Sequence, residues 1–152
     1  MLVDNLKVVL ASSFTLYLKA HNFHWNVEGQ DFPQYHKFLD DLNSEIFENA
    51  IDRTAEFIRS LDHYAPGSLT RFQELSIIED QVLIPRAELM MQELYDDNQK
   101  LLQYLKETFH LAEQEDEQGV ANFIASGTGA VNRTFQNKMQ DIVSVLDYGA
   151  KA

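Results

Sequence analysis

Apolar side chains recur along this chain at steps of three and four residues, the spacing that lines up one face of a 3.6-residue helix. The first stripe runs Leu6, Leu10, Ser13, Tyr17, Ala20 or His21, and His24, with Gly29 as a stop. A second carries Leu39, Leu42, Ile46, Ala50, Ala55, Ile58 and Leu61. Asp31 stands where its cap belongs, and Tyr64-Ala65-Pro66-Gly67 reads as the turn that ends it. A third begins around Pro85, a good first-turn residue, and continues through Ala87, Met91, Leu94, Asn98, Leu101, Leu105 and Phe109. The fourth comprises Val120, Ile124, Gly127, Val131, Phe135, Met139, Ile142 and Leu146. Residues 65–84 are long for a helix–helix connection, and Leu69, Phe72 and Leu75 predict a short helix inside it. The pattern predicts an all-α fold: a four-helix bundle with a short extra helix between helices 2 and 3.

Composition supports one domain over residues 1–152, with 45% hydrophobic residues and only 6 Gly and 3 Pro. Val8 to Leu18 has the length and lack of charge of a signal-peptide core. Asp4 precedes it, however, and Ser12, Ser13 and Thr15 interrupt it, so it reads as a helix face. No stretch approaches the roughly 18 apolar residues of a membrane span, and a soluble, cytoplasmic protein is expected. The absence of cysteine excludes disulfides, thiolate nucleophiles and Cys-ligated metal centres. A formal charge of -12 repels a phosphate backbone and attracts cations, which turns attention from nucleic acid to metal.

The metal-capable residues are His21, His24 and His36, then Asp52 and Glu56. His24 ends the first helix and His36 starts the second, so the short turn between them brings the two together. The carboxylates, four apart on one helix face, lie about 24 Å farther on if the helix is continuous. One chain does not close such a site. Antiparallel packing of two copies about a two-fold axis does, giving two equivalent sites with histidines from one chain and carboxylates from the other. Nitrogen and hard oxygen donors suit iron, zinc or manganese. Read singly, each residue is equally at home as a packed or solvated side chain, and the residues alone leave both readings open.

Three segments, KAHNFHWNVEGQDFPQYHKFLDDL, IDRTAEFIRSL and APGSLTRFQELSIIED, resemble the Dps family of ferritin-like proteins, the mini-ferritins. EQGVANFIASGTGAVNRTFQNKMQDI is similar to the family's last helix. The resemblance implies a dodecameric hollow shell that oxidises Fe(II) with hydrogen peroxide, or dioxygen, at di-iron ferroxidase sites between two-fold related subunits. The ferric mineral is stored inside, and zinc can substitute for iron. Matching positions make His24 and His36 ligands from one subunit, with Asp40 assisting, and Asp52 and Glu56 ligands from the neighbour. By the same resemblance Trp25 is a sink for an oxidising equivalent, and Asp116 and Glu117 belong to an acidic pore that admits Fe(II). His21 is either a residue that orients a ligand or a structural one.

One spacing departs from the family: His36 to Asp52 contains one residue too many. In a helix that residue rotates everything beyond it by about 100° unless a π turn absorbs it. A π turn is therefore expected between Asp41 and Ile51; a regular helix would instead make Glu45 or Glu48 candidates. Glu107-Thr108-Phe109-His110 has the Glu-x-x-His form of di-iron helices, but a single copy is read as coincidence. DNA binding is not expected, because neither end carries a lysine-rich tail. The alternatives to an iron-storing ferroxidase are a shell that binds zinc or another divalent metal without turnover, and a DNA-compacting scaffold.

Overall fold

A computed structural model describes the backbone of residues 1–151 and the side chains of residues 1–143. The side chains of Leu146 and Lys151 lie outside the described residues. Helix α1 spans Leu2–Asn26. Helix α2, Phe32–Ile46, passes through a π turn at Phe47–Ile51 into α3, Asp52–Ser60, forming one rod over residues 32–60. The short α4 is Leu69–Leu75 and α5 is Ala87–Gln114. Helix α6, Gln118–Phe123, runs through a second π turn at Ile124–Thr128 into α7, Gly129–Lys151. Four rods thus pack as a bundle in which α1 meets α2 and α5, and α7 meets α5 and α2, while α4 lies across α1.

The stripes face the core as expected: Leu6, Leu10, Leu39, Leu42, Ile46, Ile58, Met91, Leu94, Leu101, Leu105, Phe135 and Met139 are buried. Several boundaries differ from the sequence reading. Val27 in extended backbone ends α1, and Gly29 serves the following turn at φ 112°, where a side chain is strained. Asp31 occupies the cap position of α2 without a side-chain cap bond. Pro85 precedes α5, whose cap position is Arg86.

Ser68 caps α4, accepting a hydrogen bond from the Arg71 amide at 3.2 Å. No residue of α4 is fully buried, so its order rests on this cap together with the Phe72 ring, which stacks on Phe14 at 4.7 Å. Ser68→Ala is expected to cost about 1 kcal/mol. Faster amide hydrogen exchange confined to residues 69–75 checks this.

A polar cluster crosses the core beside these stripes. The Lys19 ammonium is buried and donates to Asp97 at 2.7 Å and to Glu93 at 3.4 Å, and Gln81 donates to Glu93 at 3.1 Å. This ties α1 to α5 and to the loop after α4. On the other side of α5, Asn98 and Asn132 donate to each other, Asn98 Nδ2 to Asn132 O at 2.8 Å and Asn132 Nδ2 to Asn98 Oδ1 at 2.6 Å, locking α5 to α7. Among the described residues, no helix is long and apolar enough to cross a membrane.

Candidate metal site

The α1–α2 turn brings His24 and His36 together in a reciprocal arrangement. His24 Nδ1 lies 2.7 Å from His36 O, and His36 Nδ1 lies 2.9 Å from His24 O. A carbonyl oxygen only accepts, so each Nδ1 must carry the proton. With Nδ1 occupied in this way, Nε2 is the ring atom left to ligate a metal. The two rings stack 3.8 Å apart with 19° between their planes, and Phe32 stacks on His36 at 4.9 Å. Phe32 was not singled out from sequence, although its position four residues before His36 on the same helix is the signal that finds it.

His21 is held differently. Its Nδ1 lies 2.6 Å from the Asn43 side-chain amide, a hydrogen bond to α2 within the same chain. The ring packs between Tyr17 at 5.3 Å and Trp25 at 4.5 Å. Of the two readings left open for His21, the structural one fits these contacts. Trp25 itself is 62% exposed.

The carboxylate half depends on the π turn, which lies at Phe47–Ile51, inside the interval where it was expected. A regular helix would place Asp52 and Glu56 about 160° and 200° around the axis from His36; with one residue absorbed these fall to about 60° and 100°, close to Asp40 at about 40°. The same correction returns Thr54 and Ile58 to the phase of Leu39 and Ile46, and all four are buried. Burial of these side chains on both sides of the π turn agrees with that phase. Asp40, Asp52 and Glu56 are all exposed, on the side of the rod away from the core. Glu45 is already engaged, accepting from Asn49 Nδ2 at 2.8 Å.

Within one chain the two halves remain apart, at opposite ends of about 22 Å of helix. Among the described residues, no three His, Asp or Glu side chains gather as a metal-holding group. The donor set nevertheless fits iron in kind: two imidazole Nε2 atoms at one end, and two solvent-facing carboxylates at the other, on the side of the rod that carries His36 and Asp40.

The acidic residues after α5 form its terminating turn. Asp116 takes φ 60° and Glu117 stands at the cap of α6. Glu115 accepts from the Leu2 amide at 3.0 Å, which anchors the start of α1. Glu107 and His110 are exposed and pair only along their own helix, with Gln103 and Glu113.

Residues 3–144 match the family model described as a ferritin-like domain. The chain is 32% identical over 111 residues to the DNA protection during starvation protein of Helicobacter pylori, covering 72% of this chain and 76% of that protein. It superposes on Dps from Staphylococcus aureus with a TM-score of 0.89 at 24% identity, covering 93% of this chain and 94% of that one. A Dps protein from Vibrio cholerae O1, described as a member of a broad superfamily of ferritin-like diiron-carboxylate proteins, superposes with a TM-score of 0.78 at 21% identity, covering 98% and 88%. With a bundle of this topology, a matched ferritin-like domain over nearly its whole length and a Dps relative above 30% identity, the chain belongs to the Dps family of ferritin-like proteins.

Proposed function

We propose that this protein is an iron-storing ferroxidase whose sites form between two copies related by a two-fold axis. The observation that carries the reading is the reciprocal His24–His36 pair, which frees both Nε2 atoms on the chain that also carries Asp52 and Glu56 on the His36 side of the α2–α3 rod. Fe(II) is the substrate. His24, His36 and Asp40 of one copy bind it with Asp52 and Glu56 of the other, holding two ions side by side. Each ion gives up one electron, and hydrogen peroxide takes both electrons and two protons to leave as two waters. No one-electron step then releases hydroxyl radical. Trp25, exposed and in contact with the His21 ring, donates an electron to a stray oxidising equivalent in this reading. Ferric product collects inside a dodecameric shell in the cytoplasm, which Fe(II) enters past Asp116 and Glu117.

The test is to load apoprotein with Fe(II) anaerobically and then add peroxide. Oxidation much faster than in protein-free buffer, with about two Fe(II) consumed per peroxide and no hydroxyl-radical spin adduct, is the expected result. A rate equal to that of buffer contradicts the proposal.

Protection of DNA by direct binding is not part of this reading. A chain of net charge -12 is repelled by a phosphate backbone, and no retardation of duplex DNA is expected in a gel shift at physiological salt. A retarded band under those conditions contradicts the expectation.

A further inference from the structure

The second π turn, Ile124–Thr128, is packed against the first, Phe47–Ile51. Two α3 side chains extend this contact. The Phe57 ring stacks on Phe123 at 4.8 Å with 24° between planes, and the Arg53 guanidinium lies 4.8 Å from the centre of the same Phe123 ring. Gly127 makes room for this arrangement: a Cβ there would come 2.8 Å from Phe123 Cδ1 and 3.5 Å from Arg53 Nη1. Gly129 makes the second π turn possible. Its amide donates to Ile124 O, five residues back, and a Cβ at 129 would run into that same oxygen. Arg133 then donates to Ala125 O at 2.8 Å across the turn.

A π turn is strained relative to α-helix and persists where its surroundings hold it. Here the first π turn packs against α1 and against the second π turn. We propose that the π turn at Ile124–Thr128 is a positioning element for the metal-binding carboxylates, with Phe123, Gly127 and Gly129 as its positioning residues. It braces the rod where the extra residue is absorbed and so sets the rotation of Asp52 and Glu56. The inference rests on the proposed role of those two carboxylates, and its test separates the two claims.

Co(II) binding to the assembled, metal-free protein, followed by its visible absorption without oxidant, is the readout. Asp52→Ala tests the ligand role alone, and unchanged Co(II) affinity there overturns both claims. Given a loss with Asp52→Ala, Gly129→Ala and Phe123→Leu are each expected to weaken Co(II) binding at least about tenfold while the histidines stay intact. Phe123→Leu keeps the site apolar and decides the matter if Gly129→Ala fails to fold. Deleting Glu48 removes the extra residue and makes residues 32–60 a regular helix with the carboxylates in the same phase. In that background both substitutions are expected to change Co(II) affinity by less than about twofold, since no π turn remains to be braced. Wild-type affinity in both substituted proteins, or equal losses with and without Glu48, overturns the inference while leaving the ligand assignment standing.

Discussion

His36→Ala combined with Asp52→Ala is expected to slow peroxide-driven Fe(II) oxidation at least about a hundred-fold, close to the rate in protein-free buffer. The size of the effect follows from how His36 is held. Its removal deletes one Nε2 donor and also the His36 ring that donates to His24 O and stacks on the His24 ring at 3.8 Å. His24 keeps its own bond to the backbone of residue 36 but loses the ring that fixes its tilt. Asp52→Ala removes a donor from the other end of the rod. Stopped-flow absorbance of ferric product measures the rate, and an unchanged rate with an intact shell would rule out the assigned site.

Asp97→Ala is expected to destabilise the protein by about 3 kcal/mol without touching the metal site, because it strips the counter-charge from an ammonium that stays buried. The Lys19 side chain is 2% exposed and Asp97 9%, so neither can turn to solvent cheaply, and Glu93 at 3.4 Å is a weaker second partner. Burial pushes the Asp97 carboxyl above its ordinary range. Lys19 pulls it back through its hydrogen bond and its charge, Glu93 adds to the rise, Lys100 opposes it, and the balance stays upward.

A folded-state pKa above the unfolded one means that the stabilising contribution of Asp97 is fullest in acid, below the ordinary carboxylate value. It is lost as pH rises through the raised pKa. At neutral pH the pair is therefore held at a net desolvation cost, and Lys19→Met with Asp97→Leu is expected to be neutral or stabilising by about 1 kcal/mol. Urea midpoints at one fixed protein concentration check both variants. A loss for the apolar pair as large as for Asp97→Ala would contradict this account.

Much of this fold and site is legible in the sequence. The three-and-four spacing located every rod, and the turn signals around Pro66 and Gly67 left room for α4. Counting residues between His36 and Asp52 exposed the π turn, since one surplus residue has to be absorbed somewhere and helical phase says what happens if it is not. Its counterpart at Ile124–Thr128 escaped notice although Ser126-Gly127-Thr128-Gly129 marks it: two glycines inside a helical stripe signal a close backbone approach, here to Phe123 and to Ile124 O.

Other features had no sequence signature. Lys19 sits where a surface lysine is the ordinary expectation, and only the bundle reveals that its ammonium lies against Asp97 and Glu93. The tautomers of His21, His24 and His36 depend on which carbonyl or amide each ring meets across a turn, which spacing does not encode. Asp31 and Pro85 carry the chemistry of helix starts but stand beside ends whose geometry the packing decided.

The central claim is that histidines and carboxylates of one site come from different chains, and mixing tests it most directly. His36→Ala and Asp52→Ala proteins, each inactive alone, are co-expressed with different tags and co-purified. If the site spans a two-fold interface, random mixing restores intact histidine and carboxylate halves at about 25% of sites, and Fe(II) oxidation returns in proportion. If each site lies within one chain, no combination restores it, and mixed shells as inactive as the two parents would contradict the account.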